Sequence, residues 1–110
     1  MSMSQYGDYI KERLGDEIIE SELGFITYVV NKDNVYVKEV YIVPEFRGRH
    51  VASELCNQVV DKAAGLGLTK IYGSVVPSAN GSNTSLKVLL AYGFVLDSAA
   101  DNFIILRKDI

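Results

Sequence analysis

Val40-Tyr41-Ile42-Val43-Pro44-Glu45-Phe46-Arg47-Gly48-Arg49-His50-Val51-Ala52 runs from a β-branched and aromatic strand, through a proline stop and a basic glycine turn, into an apolar-periodic helix. A turn of this kind points successive backbone N–H groups outward where a helix begins. The first four amides of a helix have no internal acceptor, and the macrodipole places about half a positive charge at the same spot. The combination is an anion site, most naturally for phosphate. Arg47, Arg49 and His50 add side-chain charge around it. In a chain with fourteen Asp and Glu against eleven Lys and Arg, that clustering points to a bound anion rather than to solubility.

On either side of this stretch the pattern predicts a helix over 4–14, where Tyr6, Tyr9, Ile10 and Leu14 share a face and Gly15 stops it. Residues 17–20 read as a short strand, and Gly24 to Asn31 as a strand on β-propensity. Lys32-Asp33-Asn34 is a turn into a strand over 35–43, so these two form an antiparallel hairpin. Residues 50–64 place Ala52, Leu55, Cys56, Val59, Val60 and Ala63 on one stripe of a helix ended by Gly65 and Gly67. A strand over 69–76 follows, then a polar loop, Ser78 to Asn83. A helix over 84–92, capped by Ser82, Asn83 or Thr84 and stopped by Gly93, leads to strands over 94–97 and 102–107. The strand–helix–strand unit at 35–76 is a crossover, so its two strands run parallel while the flanking hairpins are antiparallel. The expected fold is α/β, a mixed sheet with helices on both faces. Open sheets of this class bind ligands at the carboxyl ends of parallel strands, where the basic turn lies.

The 110 residues suit one domain, a helix within 1–15 and a core over 16–108. With 48% apolar residues and no low-complexity run, disorder is excluded. A formal charge of −3 speaks against nucleic-acid or anionic-membrane partners, which need a broad basic face. No run is long enough to span a bilayer, and the N-terminal segment is too charged for a signal peptide. The single cysteine fits a reducing compartment, so a cytoplasmic location is expected. Metal-ligand spacing, a P-loop and a dinucleotide fingerprint are all missing.

The segment Val43-Pro44-Glu45-Phe46-Arg47-Gly48-Arg49-His50-Val51-Ala52 resembles the V-x-P-x-x-R-G-x-G-x-G/A signature of the GNAT superfamily of acyl-CoA-dependent N-acyltransferases. Leu90-Ala91-Tyr92-Gly93-Phe94 is similar to that family's second motif, and Gly24-Phe25-Ile26 to the glycine opening its third strand. The resemblance covers about residues 16–108, and the chain starts late against the family pattern, without most of its first strand and helix. It implies the acyl-CoA N-acyltransferase fold, with acetyl-CoA as cosubstrate. The amides of Arg47, Gly48, Arg49, His50, Val51 and Ala52 would take the pyrophosphate. Strands 35–43 and 69–76 would splay to admit the pantetheine arm, which would bond to backbone near Ile42 and Val43. An N–H there would polarise the thioester carbonyl, the oxyanion role. Asn83 stands beside Ser82, where many members carry a cofactor-contacting Asn.

Two departures from the pattern bear on the chemistry. His50 replaces the second glycine, and His tolerates a left-handed backbone better than most residues. Members with a tyrosine general acid carry it four residues before the Gly-Phe glycine, where this chain has Leu89. Tyr92, one residue before that glycine, projects from another face. Glu39, on the parity of Val35, Val37, Tyr41 and Val43, is the candidate base for an acceptor ammonium, with a bulge able to shift that parity. Tyr41 and Tyr36 are candidates to line the acceptor end, although strand tyrosines more often pack. Cys56, on the apolar stripe, reads as an inert buried thiol. The expected activity is transfer of an acetyl group to a primary amine, on a small molecule or a protein. The alternative is a CoA-binding or interaction module without turnover. A homodimer through an unpaired edge of the final hairpin completes the expectations.

Overall fold

Three strands of adjacent sequence, β1 (Glu17–Ser21), β2 (Gly24–Val30) and β3 (Val35–Ile42), form an antiparallel meander. They belong to a computed structural model that describes residues 5–78 and 82–110, the side chains of 82–85 excepted. Before them lies α1 (Gln5–Leu14); after them come α2 (Val51–Gly65), β4 (Lys70–Val75), α3 (Ser82–Tyr92), β5 (Val95–Ala100) and β6 (Phe103–Asp109). The six strands make one sheet in the order β1-β2-β3-β4-β6-β5, in which only β3 and β4 run parallel. β1 pairs fully with β2, so the expected hairpin is the second half of a meander. β5 extends to Ala100, beyond the expected 97, and is exposed along its whole length at the sheet edge.

Alternation decides what each strand buries. Ile26 and Tyr28 on β2, Val35 and Val37 on β3, Ile71 and Val75 on β4 and Leu106 on β6 join one buried cluster with Leu55, Cys56, Val59 and Ala63 of α2. Leu89 of α3 and Phe94 belong to the same cluster, and Gly73 makes room for them: a Cβ there would stand 3.3 Å from Leu89 Cδ1. Burying each large aliphatic side chain contributes about 1.5–3 kcal/mol, which is what holds two amphipathic helices on this face. α1 lies on the opposite face, where the Tyr6 ring meets that of Phe25 at 5.7 Å. Gly24 is required by space: a Cβ would fall 2.1 Å from the Tyr41 carbonyl oxygen on β3.

One irregularity sets up the site. Thr27 faces Glu39 while its neighbour Tyr28 faces Val37, so Lys38 is an extra residue bulged out of β3. The bulge resets the strand's parity. Val35 and Val37 are buried before it, and Val40 and Ile42 pack on the same core after it. Glu39 and Tyr41 therefore turn to the α1 face, correcting the assignment of Glu39 to the parity of Val35 and Val37. Beyond the bulge β3 also parts from β4: the two pair only over Val35–Val37 against Ile71–Gly73, although β3 continues to Ile42 and β4 to Val75. No described helix is long and apolar enough to cross a membrane.

Candidate functional site

The parted strands open a cavity of about 690 Å³ that passes through the sheet. On the helix side it is lined by Val40, Ile42, Val51, Val88 and Leu89, and on the α1 side by Phe25, Glu39 and Tyr41. Its far end reaches Arg47, Gly48, His50, Ala52 and Ser53 at the start of α2. Phosphate-binding potential, an extended slot and a carboxylate thus share one continuous space.

At the turn, residues 44–46 form a single 3₁₀ turn that engages the Phe46 and Arg47 amides internally. The Phe46 N–H donates to the Val43 carbonyl at 3.0 Å and the Arg47 N–H to the Pro44 carbonyl at 3.4 Å. Gly48 then takes φ +80 and His50 φ +64, ψ +13. Two left-handed residues in so short a span curl the chain so that its N–H groups face one side. Among the described residues the amides from Gly48 to Ser53 find no backbone acceptor, and the first helical bond is Glu54 N–H to the His50 carbonyl at 3.1 Å. No side chain caps α2. The donor set therefore begins at Gly48, one residue later than expected, and extends to Ser53. A Cβ on Gly48 would meet nothing within 4 Å, so its glycine serves conformation rather than space.

The two arginines differ. Arg47 Nε donates to the Ile42 carbonyl at 3.0 Å, and its guanidinium lies 5.8 Å from the centre of the Tyr41 ring. It lines the cavity and braces the end of β3. Arg49 lies over Phe46 at 5.5 Å and is not among the lining residues.

The strand register reveals which amides of β3 face the slot. In an antiparallel pair successive residues direct their N–H and C=O to opposite sides. The Val43 N–H bonds the Leu23 carbonyl at 2.8 Å, toward β2. Residues of the same parity, Tyr41 and Glu39, point the same way; Val40 and Ile42 point their N–H groups into the slot, where β4 has departed. Val43, expected beside the thioester, is thus committed at both its N–H and its carbonyl. Val40, like Ile42, instead turns its N–H into the slot, an orientation the sequence pattern hid because it follows from the bulge.

On the α1 face Glu39 borders the cavity next to the stacked pair Phe25 and Tyr41, whose ring centres are 5.8 Å apart. Partial burial raises the Tyr6 phenol above its ordinary value, and the nearby Glu39 carboxylate raises it further. Neighbouring Lys38 pairs with buried Asp16 at 3.2 Å, which satisfies that carboxylate. Ser53 and Ser74 are hydroxyls on the wall that the sequence reading did not single out. Tyr36 lies off the cavity, beside Tyr72 in the β3–β4 register.

The remaining candidates separate cleanly. Leu89 lines the slot, so the place of the family's tyrosine carries no proton donor. The Tyr92 hydroxyl instead donates to Asn57 Oδ1 between α3 and α2, with the Lys108 ammonium over its ring. Burial pushes the Cys56 thiol up to about 11, leaving it inert at neutral pH. The Asn83 side chain lies outside the described residues. Among the described residues no group of three or more His, Cys, Asp or Glu is placed to hold a metal.

Comparison with known proteins agrees with this architecture. A solved structure of the anti-CRISPR protein AcrVA5 superposes with a TM-score of 0.71 at 22% identity, over 84% of this chain and 97% of that one. The PaiA N-acetyltransferase of Thermoplasma acidophilum, solved in complex with coenzyme A, gives a TM-score of 0.76 at 13% identity over 96% of this chain and 68% of its own. A GNAT family acetyltransferase from Elizabethkingia anophelis with acetyl-CoA bound gives 0.70 at 16% identity, over 97% and 84%. At these identities the likeness concerns the fold. No curated protein sequence matches the chain. The model of the acetyltransferase (GNAT) family matches residues 11–86, which span the meander, the basic turn, α2, β4 and the start of α3. With that match over most of its length, the chain belongs to the GNAT acetyltransferase family.

Proposed function

We propose that the protein transfers an acyl group, acetyl in the simplest case, from acyl-CoA to a primary amine in the cytoplasm. The observation that carries this reading is the continuity of the cavity, from the unpaired amides of Gly48–Ser53, past the free N–H groups of Val40 and Ile42, to the Glu39 carboxylate. The solved relatives with CoA or acetyl-CoA bound support the choice of ligand.

Bound acetyl-CoA supplies the electrophilic thioester carbon. The turn amides hold its diphosphate, with Arg47 adding positive charge at the mouth. The Ile42 and Val40 N–H groups receive the pantetheine arm and the thioester oxygen, stabilising negative charge as it develops there. Glu39, on the opposite face of the sheet, accepts a proton from the incoming ammonium, directly or through water, so that a free amine attacks. The C–N bond forms as the C–S bond breaks; the second proton leaving nitrogen passes through water to the departing thiolate, and Glu39 returns its own proton to solvent.

Leu89 at the usual tyrosine position favours a second reading, a CoA-binding module without turnover. Thiol release from acetyl-CoA across a panel of primary amines, including a lysine peptide, separates the two. Glu39→Gln should lower kcat/KM for the amine about 100-fold, the common scale for a general base, while leaving CoA affinity intact. Unchanged turnover in that variant removes Glu39 from the mechanism. CoA binding without thiol release for any amine selects the module.

A further inference from the structure

The α1 face of the cavity holds an arrangement that acyl transfer itself does not require. Tyr6, Phe25 and Tyr41 form a continuous aromatic row, with ring centres 5.7 Å and 5.8 Å apart at successive contacts. Phe25 and Tyr41 line the cavity as cross-strand partners side by side on the sheet, and α1 adds Tyr6 at the end of the row, just beyond the lining. Glu39 lies two residues from Tyr41 on the same face. It has no ion-pair partner among the described residues, whereas its neighbour Lys38 is paired with Asp16. Arg47 covers the Tyr41 ring from the other end. The wall therefore offers one carboxylate, flat apolar area and positive charge at its margins.

We propose that α1 completes an acceptor site for monoamines carrying a flat apolar body, with Tyr6, Phe25 and Tyr41 as its wall and Glu39 as its single anionic contact. One ammonium is matched by one carboxylate. A second positive charge on the acceptor would find no second carboxylate on the lining, so polyamines are disfavoured. A planar body stacks on the rings, and its ammonium also gains from their faces. Tyr6 would have two roles: its ring extends the wall beyond Phe25, and its hydroxyl, close to Glu39, would steady that carboxylate.

This inference rests on the acyl-transfer reading only for turnover, so its test has a binding arm. Phenethylamine and 1,4-diaminobutane are compared as acceptors for acetyl-CoA, and each is titrated calorimetrically into CoA-saturated protein with 2-phenylethanol as the uncharged control. Phenethylamine should be preferred in kcat/KM and bind more tightly than either comparator. Tyr6→Phe, which keeps the ring, should raise the phenethylamine KM about tenfold, the scale of one hydrogen bond to a charged group, with the acetyl-CoA KM unchanged. Phe25→Leu should weaken phenethylamine while sparing diaminobutane. Equal or better use of diaminobutane, or an unaltered phenethylamine KM in Tyr6→Phe, overturns the assignment. If no amine is acetylated while CoA binds, the acyl-transfer reading fails and the titration decides: phenethylamine binding weakened by Tyr6→Phe upholds the site, and no binding discards it.

Discussion

His50 enters the left-handed region at φ +64 without a side-chain bond to reward it, so the residue is there because the turn demands that conformation. Left-handed backbone costs an ordinary L-residue about 1–2 kcal/mol, and a β-branched side chain suffers most. His50→Gly should therefore preserve CoA affinity and change stability by no more than about 1 kcal/mol, since relief of strain offsets added freedom in the unfolded chain. His50→Val should lose both stability and CoA binding; denaturant midpoints and calorimetry check the pair. Cys56 carries a pH signature of its own. Its thiol rises from an ordinary 9.0 to about 11 on burial. Below pH 9 the thiol is protonated whether folded or unfolded, and stability has no slope from it. Between pH 9 and 11 the unfolded chain loses that proton while the folded one keeps it, so stability falls as pH rises, by about 3 kcal/mol at the limit. Tyr28, raised by burial and then by Glu17, acts in the same direction at higher pH. Urea unfolding from pH 8 to 11, with Cys56→Ala as the comparison, should show the steeper decline in the parent protein.

Among the elements, β3 does the most for function, and a single extra residue explains how. The Lys38 bulge adds local twist, carries the strand away from β4 and turns Glu39 to the α1 face. Backbone hydrogen exchange should report this directly. The Glu39, Tyr41 and Val43 amides, facing β2, should exchange slowly. The intervening Val40 and Ile42 amides, facing the slot, should exchange faster and become protected when acetyl-CoA is added. A uniform rate from 39 to 43 would place a partner where the geometry leaves none. The same strand marks the limit of what periodicity reveals. Val40-Tyr41-Ile42-Val43 is apolar throughout, so its pattern announces a strand without saying which side each residue faces. The helix stripe of Leu55, Cys56, Val59 and Ala63, the glycine stops and the turn around Gly48 depend on local chemistry and were legible, with bounds close to those observed. The contact of Tyr6 with Phe25 could not be read from the sequence, because it depends on how α1 docks on the far face.

At the scale of the molecule, a sheet opened along part of its central pair gives up hydrogen bonds that a closed sheet would make, and a ligand threaded through the opening can restore them. Binding should consequently couple to global stability. CoA at 100 times its dissociation constant should raise unfolding free energy by about 2.7 kcal/mol. In a domain of 110 residues that is a Tm increase on the order of 10 °C. The two ends of the ligand use different parts of the fold. The diphosphate meets amides at the mouth of α2, and the pantetheine arm meets the edge of β3. Pantetheine at the same concentration engages only the second, so its shift should be much smaller, and Arg47→Ala should reduce the CoA shift more than the pantetheine one. Equal shifts from CoA and pantetheine would mean that the Gly48–Ser53 amides hold no diphosphate, whatever the slot itself admits.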